Sequence, residues 1–280
     1  MKNLKCPVCG DLLIKNNTSY KCAQNHSFDV SKYGYTNLLL VNQSKSLNPG
    51  DDKEMVLARK RFFELDKYDC LKIKLLELLL KYCQKEEHFC DIACGEGYYT
   101  NYLHSKLSKN IAIKTVGSDI SKQAIIEASK QKKSMDLSSI DYVIANLSNM
   151  PFKDKTFTTI LNCFAPIDIK EFNRLLKDDG LYIRVLPGPN HLWELKECLY
   201  EKPYLNIAKQ EKIENMELLE NIIIEKQIYL ENNQQIWDLF MMTPYFYKTS
   251  NVAKEKLKTI SSLNTSISFD IRIYKKKANN

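Results

Sequence analysis

The stretch from His88 to Gly97, HFCDIACGEG, joins a short apolar run to a turn that contains two glycines. The run HFCDIA predicts a buried β-strand, and the next residues, YYTNYLHSKL (98–107), have the spacing of a helix. Gly95 and Gly97 let the backbone turn sharply between the two and approach a ligand closely. A strand, a glycine turn and a helix in this order predict a site for a nucleotide-type cofactor.

Outward from this stretch, short apolar runs alternate with helical patterns. The predicted strands are AIKTVGSDI (112–120), IDYVIAN (140–146), FTTILNCFA (157–165), LYIRVLP (181–187) and the period-two run SISFDIRIYKKK (266–277). The predicted helices are KQAIIEASKQK (122–132), KEFNRLLKDDG with its turn (170–180), HLWELKECLY (191–200) and IWDLFMMTPYFY (236–247). This order predicts a doubly wound α/β domain.

Two further helices are predicted ahead of the glycine turn. DDKEMVLARKRFFELDKY (51–68) has acidic residues placed for a helix N-terminus, and the apolar residues of CLKIKLLELLLKYCQK (70–85) nearly surround the second helix, which predicts burial. The three consecutive basic residues of the first helix, Arg59, Lys60 and Arg61, suit contacts to phosphate. A solvated helix face is the alternative interpretation of these three residues.

The first residues of the chain carry a second pattern, Cys6-x2-Cys9-x12-Cys22-x3-His26. Two close pairs of such ligands are typical of a structural zinc site, and we expect disulfides to be absent in the cytosol. The segment has few aliphatic residues, so we expect it to need a bound metal ion for stability. We therefore predict a zinc-binding module at 1–36 and one large domain at 37–280, in which 37–88 holds the linker SKSLNPGDD and the N-terminal helices.

The composition suits a soluble globular protein, with 44% hydrophobic and 27% charged residues in 280. No apolar run is long enough to span a bilayer, and the polar N-terminus is unlike a signal peptide, so we expect a cytoplasmic protein with no membrane partner. The net charge of +7 suits a polyanion such as RNA. A lysine-rich surface without a polyanionic partner explains the charge equally well.

Two carboxylates and an amide accompany the glycine turn. Asp91 precedes it, Asp119 ends the next predicted strand, and Asn146 ends the third. A carboxylate at the position of Asp119 can accept hydrogen bonds from both hydroxyls of a ribose. A loop that binds pyrophosphate would want a third glycine leading into the helix, and GEGYYTN has none. The missing glycine counts against NAD, but the turn by itself leaves NAD and S-adenosylmethionine open, with Asp91, Asp119 and Asn146 as candidate contacts of the cofactor.

These features, followed by MPFKDKTFTT before the fourth strand, resemble class I S-adenosylmethionine-dependent methyltransferases. Two residues depart from that pattern. Ala93 stands where those enzymes usually have the first glycine, and Thr158 stands where they usually have an acidic residue. Alanine is small enough to keep the turn, so the resemblance implies a class I (Rossmann-like) α/β methyltransferase domain behind a small N-terminal zinc-binding domain.

A closer resemblance covers the chain from Cys6 to about Tyr247. The order CPVC…C-x3-H, GYTNLL, NPGD-x-x-EM-x-x-ARKRF, ACGEGYYT, FAP, PGPNHLWELK and MTPY is similar to the RlmA/TlrB family. That resemblance implies methylation of N1 of a guanine in a hairpin of 23S ribosomal RNA, with residues 1–36 as an RNA-recognition module, and it leaves a homodimer open. A clip that only stabilises the N-terminus or mediates a dimer contact is the alternative role of residues 1–36. The resemblance implies zinc ligands at Cys6, Cys9, Cys22 and His26, and cofactor contacts at Tyr68, Gly95, Glu96, Gly97, Asp119 and His191.

Methyl transfer from a sulfonium is an in-line displacement, and the base must leave its helix stack to reach a buried cofactor. Asn162 and Phe164 follow the fourth strand, where this fold places its substrate, and Phe164 can stack on the flipped guanine. His191 is a cofactor or substrate contact, with a general base as one role. A core position for Phe164, a helix cap at His191 and a base at Asp168 remain alternatives.

Two other functions stay open at this point. One is a small-molecule methyltransferase on the same fold, and the other is a zinc-dependent RNA-binding protein without catalysis. The sequence leaves undecided which guanine is modified and whether modification confers macrolide-type antibiotic resistance.

Overall fold

The computed structural model describes residue 1 and residues 3–43, 49–83, 86–207 and 213–278. Its strands are β1 (Ile14–Asn16), β2 (Ser19–Lys21), β3 (Ser27–Asp29), β4 (Tyr35–Asn37), β5 (Glu86–Ile92), β6 (Ala112–Asp119), β7 (Ile140–Ile144), β8 (Phe157–Cys163), β9 (Leu176–Pro187), β10 (Met216–Leu230) and β11 (Leu263–Lys276). Its α-helices are α1 (Lys53–Glu64), α2 (Asp69–Tyr82), α3 (Tyr98–Leu107), α4 (Lys122–Ser134), α5 (Ile169–Leu175), α6 (Trp193–Leu199), α7 (Asn233–Met241), α8 (Tyr245–Lys248) and α9 (Asn251–Lys258).

Within the described residues, the strands form two sheets. The small antiparallel sheet has the order β1-β2-β3, and the large sheet has the order β10-β11-β9-β8-β5-β6-β7-β4. Strands β4 to β9 of the large sheet pair in parallel, whereas β11 lies antiparallel between β9 and β10. The predicted doubly wound α/β domain is confirmed, with the carboxyl ends of β5, β6 and β8 at one edge of the sheet.

The long strand β10 was missing from the sequence prediction. Its sequence, MELLENIIIEKQIYL, mixes charged and apolar residues without clean alternation. In the sheet order β10 pairs with β11 alone, and side chains such as Ile223 and Tyr229 remain half exposed. An edge strand with a wet face has no strict hydrophobic pattern, so its periodicity is weak.

Strand β4 links the N-terminal segment to the large sheet. Tyr35 pairs with Tyr142 of β7 in parallel, and Leu38 donates its backbone N–H to the carbonyl of Ile144 at 3.0 Å. The predicted domain boundary at residue 36 falls inside this strand, and the division into 1–36 and 37–280 stays a prediction. Residues 44–48 of the predicted linker lie outside the described residues.

The N-terminal segment also packs directly on the segment before β8. The N–H of Lys5 donates to the carbonyl of Pro151 at 2.8 Å, and the N–H of Lys153 donates to the carbonyl of Asn3 at 2.9 Å. Leu4 and Tyr20 are buried in the same apolar cluster as Phe152. The small sheet therefore shares a hydrophobic cluster with the large domain.

Helices α1 and α2 cover the opposite face. α1 begins as predicted, with the Asp52 carboxylate accepting the N–H of Met55 at 2.9 Å. In α2 the prediction of burial nearly all round is wrong, because Ile73 is 45% and Leu80 is 48% exposed while Leu71 is fully buried. The helix is amphipathic, and residues 84–85 of the predicted helix lie outside the described residues. No helix within the described ranges is both long and apolar enough to cross a membrane.

Candidate active site and zinc cluster

The four predicted metal ligands come together at one end of the small sheet. The ligand atoms of Cys6, Cys9, Cys22 and His26 all lie within 4.8 Å of one another. The Sγ atoms of Cys9 and Cys22 are 3.7 Å apart, and Cys22 Sγ is 3.3 Å from His26 Nδ1. Tetrahedral zinc with bonds of about 2.3 Å to sulfur places sulfurs about 3.8 Å apart, so the donor set and its spacing fit zinc.

Tight backbone turns hold both cysteine pairs. The N–H of Gly10 donates to the carbonyl of Cys6 at 2.9 Å, and the N–H of Asn25 donates to the carbonyl of Cys22 at 3.0 Å. Gly10 and Asn25 have φ angles of 80° and 63°, in the left-handed region where glycine and asparagine cost least. These turns bring the two ligands of each pair close together.

The glycine turn after β5 is also left-handed. Ala93, Gly95 and Gly97 have φ angles of 59°, 57° and 80°. Ala93 keeps the turn that glycine usually makes, as predicted, although the conformation strains an alanine. The Asp119 carboxylate, at the end of β6, accepts the N–H of Gly95 at 2.9 Å and the N–H of Ser121 at 2.8 Å. The first and second strand ends are thereby joined at the predicted cofactor site.

Helix α1 closes over this turn through Arg59. Its Nε donates to the Glu96 carboxylate and its Nη1 to the Asp51 carboxylate, both at 2.6 Å. Burial opposes the charge on Arg59, but these two carboxylates outweigh it and raise the pKa of the guanidinium. A Cβ on Gly95 would lie 3.4 Å from the guanidinium, an ordinary van der Waals contact, so the left-handed φ of 57° rather than lack of space favours glycine here.

The two basic residues that follow Arg59 also form ion pairs with carboxylates. Lys60 bonds to Glu127 of α4 at 3.1 Å, and Arg61 makes a bidentate pair with Asp238 of α7 at 2.5 and 2.9 Å. The contact of Arg59, Lys60 and Arg61 with phosphate therefore stays a prediction, and in this conformation carboxylates engage all three. Each of the three ties α1 to a different segment of the domain instead.

The other predicted cofactor contacts are found around the turn. Asp91 is buried, accepts the hydroxyl of Thr100 at 2.5 Å, and has its pKa raised to about 7, first by burial. Asn146 donates through Nδ2 to the carbonyl of Gln43 and accepts the N–H of Ser148, both at 3.0 Å. Asp91, Glu96 and Asp119 gather at the turn, where Glu96 is paired with Arg59 and burial favours the neutral form of Asp91. Their roles in cofactor binding stay predictions.

Tyr68 and His191 come together although 123 residues separate them. The Tyr68 hydroxyl is 3.3 Å from His191 Nε2, and the backbone N–H of Ser268 in β11 donates to His191 Nδ1 at 3.2 Å. Because Nδ1 accepts that bond, the proton of the neutral ring is on Nε2, which donates to Tyr68. Burial lowers the pKa of His191 to about 3, and both nitrogens have partners, so this conformation offers no free base at His191.

A buried lysine supports the loop around His191. Lys196 is fully buried, and its Nζ donates to the carbonyl of Tyr204 at 2.9 Å and to Asn206 Oδ1 at 3.1 Å. Asn206 Nδ2 donates in turn to the carbonyls of Gly188 and His191, at 3.0 and 3.3 Å. The PGPNHLWELK segment thus fixes the position of His191.

Phe164 has an exposed aromatic ring that suits stacking on a nucleobase. Its φ of 54° is unfavourable for a bulky residue, and its side chain is 41% exposed. The ring lies 5.9 Å from that of His191 at an angle of 26°, and 5.8 Å from that of Phe269. Such strain persists where the surrounding structure holds it, and it concentrates at functional sites. The exposure argues against the core alternative.

Asn162 lies on the other face of the sheet. Strand residues alternate between faces, and Ile160 belongs to the cluster with the N-terminal module while Leu161 belongs to the cluster under α1 and α2. The side chain of Asn162 is fully buried and donates to the carbonyl of Pro166 at 3.3 Å. Its catalytic role stays a prediction. The alternative base, Asp168, instead caps α5 by accepting the N–H of Glu171 at 3.0 Å.

Comparison with known families now adds to this geometry. Residues 4–47 match the family model "RlmA, N-terminal", and residues 89–180 match a methyltransferase domain. A Bacillus subtilis (strain 168) protein named "Putative 23S rRNA (guanine-N(1)-)-methyltransferase YxjB" is 30% identical over 278 residues, which are 96% of this chain and 95% of the relative.

The chain belongs to the RlmA/TlrB family. A second member, the Streptomyces fradiae "23S rRNA (guanine(748)-N(1))-methyltransferase", is 27% identical and covers 71% of this chain and 68% of its own length. Among solved structures, one described as a putative methyltransferase from Bacillus halodurans superposes with a TM-score of 0.50 at 14% identity, covering 72% of this chain and 99% of its own. That likeness supports the fold alone.

The RlmA/TlrB residues brought together here fit S-adenosylmethionine. The backbone of Gly95 and Gly97 and the Asp119 carboxylate would hold it. Sequence inspection missed Arg59 as the residue that closes the turn, and it missed Ser268 as the residue that orients His191. The basic composition of the helix does not indicate that Arg59 closes the turn. The contact of His191 with a backbone N–H 77 residues away leaves no pattern in the sequence.

Proposed function

We propose that this chain is an S-adenosylmethionine-dependent methyltransferase acting on N1 of a guanine in a hairpin of 23S ribosomal RNA. One observation carries the proposal. A Cys3His module packs directly on the segment before β8, in a chain similar over 96% of its length to a relative named for this activity. The substrate implies work in the cytoplasm. A homodimer remains a separate, untested prediction.

The RNA-facing surface in this proposal is the β1–β2 hairpin. Ile14 pairs across the strands with Lys21 and is 72% exposed, and Lys15 pairs with Tyr20. Neither Lys15 nor Lys21 forms an ion pair with any residue that the structure describes. Exposed lysines beside exposed apolar groups suit a hairpin that is recognised by its backbone and unstacked bases.

The target base is placed by aromatic stacking. Phe164 presents its ring at the carboxyl end of β8, next to His191, and base–aromatic stacking contributes about 1–3 kcal/mol per base. His191 holds the Tyr68 hydroxyl through its Nε2 proton and is itself held by Ser268. These residues orient the flipped guanine relative to the glycine turn, where the methyl donor binds.

S-adenosylmethionine, when bound, supplies the methyl group. The chain supplies alignment, exclusion of water and hydrogen bonds. Guanine N1 carries a proton and is a weak nucleophile while neutral, so donors that stabilise negative charge at O6 lower the barrier. His191, whose two ring nitrogens are engaged, acts as a positioning residue in this scheme.

The test is direct mapping of N1-methylguanine. Primer extension on 23S ribosomal RNA from cells with and without the gene should show one stop that disappears in the deletion strain and returns on complementation. Purified protein should label a matching hairpin transcript from radioactive S-adenosylmethionine, and a transcript with adenine in place of that guanine is the matched control. Labelling of small acceptors instead of RNA would support a small-molecule methyltransferase, and cofactor binding without transfer would support a silent RNA-binding protein.

A further inference from the structure

A cavity of about 490 Å³ lies beside the loop that holds His191. Its lining includes Asn190 and Trp193 of the PGPNHLWELK segment, and Glu225 and Gln227 of β10. The volume falls within the range of about 300–1,000 Å³ that is typical of ligand sites. The described residues of the lining include none of the candidate zinc or cofactor ligands, so the cavity is a separate site.

The cavity shares a face of the large sheet with the zinc module. Glu225 lies directly opposite Ser268 of β11, and such partners point to the same face. Tyr274 lies an even number of residues farther along β11, so it points to that face as well. Tyr274 is buried in the cluster that contains Leu4 of the N-terminal segment. An RNA that contacts the zinc module can therefore reach the cavity along one face of the sheet.

The cavity is linked to His191 through Ser268. The hydroxyl of Ser268 donates to Glu225 Oε1 at 2.9 Å, and its backbone N–H donates to His191 Nδ1 at 3.2 Å. The ring of His191 lies in turn 5.9 Å from that of Phe164. Three consecutive contacts thus join the lining of the cavity to the exposed ring on which the target guanine stacks. The two places are neighbours, as two bases of one hairpin require.

Trp193 offers a fixed aromatic surface in the cavity. Its Nε1 donates to the Glu197 carboxylate at 2.9 Å, which holds the indole ring in place. Unpaired bases of RNA are recognised by stacking on such rings and by hydrogen bonds to the base edges. The ring therefore suits a base that has left its helix stack.

The charged groups of the lining favour an N–H donor over a phosphate. Among the described residues, Glu225 accepts hydrogen bonds only from the neutral side chains of Ser268 and Asn190, and its Oε2 has no partner. Lys226, which also lines the cavity, is engaged with the Asp69 carboxylate at 3.2 Å. An ionised carboxylate accepts hydrogen bonds and repels phosphate, so Glu225 suits the amino group of a base.

We propose that this cavity binds a second unpaired base of the hairpin, which stacks on Trp193 while its amino group donates to Glu225. The assignment rests on the proposed function and deepens it, because it names residues that select the sequence around the target guanine. Adenine, cytosine and guanine carry an amino group and uracil carries none, so the cavity discriminates against uracil at one position of the hairpin.

Hairpin transcripts that carry uracil in turn at each unpaired position other than the target test the assignment. At one position uracil should lower kcat/KM of the wild type on the order of 10-fold. Glu225→Gln replaces a carboxylate oxygen by a donor, so this variant should lose the preference at that position and at no other. Glu217→Gln, at an exposed position of the same strand, is the matched control and should keep the preference.

Trp193→Ala should raise the Michaelis constant for the hairpin on the order of 10-fold. Affinity for S-adenosylmethionine, measured by calorimetry without RNA, should not change. Tyr229→Ala is the control, because Tyr229 is a half-exposed aromatic residue of β10 outside the lining of the cavity. It should leave both quantities as they are in the wild type.

Fluorescence gives a measurement that does not depend on catalysis or on the folding of Trp193→Ala. The chain has two tryptophans, so in Trp237→Phe the emission comes from Trp193 alone. Saturating hairpin RNA should quench this emission, because a base stacks on the indole ring. Unchanged emission with the RNA bound would overturn the proposal.

Two further outcomes would also overturn it. One is the same response to uracil in the wild type and in Glu225→Gln at every position. The other is inhibition of the wild type by spermidine that Glu225→Gln abolishes, without a base preference at any position, which would assign the cavity to a cationic small molecule. Failure of the wild type to methylate guanine N1 would refute the proposed function instead, before any variant is compared.

Discussion

The zinc cluster and the methyl-transfer site differ in the distance along the chain that each one bridges. The cluster is built from residues 6 to 26, and its closest contact, between Cys22 and His26, spans four residues. The candidate transfer site brings Tyr68 and His191 together across 123 residues, and Ser268 of a further strand donates its N–H to His191. Local sites can be identified from residue spacing, whereas a site made by the sheet can be identified only once the strand order is known.

The two regions also differ in what stabilises them. Strands β1 to β3 have three residues each, and the buried residues of the segment join the cluster around Phe152. The central strands β5 and β8 are buried along most of their length. Metal binding therefore replaces apolar burial in the N-terminal region.

Removal of zinc gives the largest expected effect. Structural zinc contributes on the order of 10 kcal/mol in small domains, and the N-terminal segment has little core of its own. In Cys22→Ser, or after chelation, the amides of Gly10 and Asn25 should lose protection from hydrogen exchange, while those of β5 and β6 keep it.

Cys198→Ser is the control, because Cys198 is half-buried in α6 and packs against the core of the large domain rather than against the zinc ligands. Equal loss of protection in both regions of Cys22→Ser would mean that the two unfold as one unit. The antiparallel bridge between Leu4 and Phe152 connects the two regions, and it is the structural reason for testing whether they unfold together.

Arg59→Ala comes second. It leaves Glu96, which is 2% exposed, without its ion pair, and breaking a buried pair costs about 3–5 kcal/mol. Because Arg59 closes the glycine turn, affinity for S-adenosylmethionine should fall, as measured by calorimetry in the absence of RNA.

Lys60→Ala is the matched control on the same helix, since its pair with Glu127 is nearer the surface and is worth about 1 kcal/mol or less. If Arg59→Ala kept its cofactor affinity and raised only the Michaelis constant for RNA, the result would support the phosphate-contact role predicted from the sequence.

The smallest effect is expected on the RNA side. Lys15→Ala with Lys21→Ala should raise the Michaelis constant for the hairpin without changing affinity for S-adenosylmethionine. Each lost phosphate contact should flatten the dependence of log affinity on log salt by about 0.7 to 0.9. A salt slope equal to that of the wild type would exclude the β1–β2 hairpin from the RNA surface. Together with Arg59→Ala, this pair separates substrate binding from cofactor binding.

The sequence was informative where burial or ligand chemistry left a strict pattern. β5, β6 and β8 are apolar runs because both faces of a central parallel strand are covered, and the four zinc ligands have fixed spacing. Patterns failed where partners decide the role. The sequence does not distinguish an arginine that forms an ion pair, as Arg59 does, from one that faces RNA. The hydroxyl of Tyr99 is buried without a hydrogen-bond partner among the described residues, which can be recognised only when its neighbours are known.

Strand β11 has a consequence for synthesis on the ribosome. It inserts between β9 and β10, and its Ser268 supplies the N–H that orients His191. Among the described strands it is translated last, so a nascent chain that has not yet emerged past residue 276 carries the glycine turn and the zinc ligands but an unfixed histidine. We expect fragments that end before β11 to lack methyl-transfer activity even where they bind RNA, because the N–H of Ser268 is then missing and His191 is not oriented.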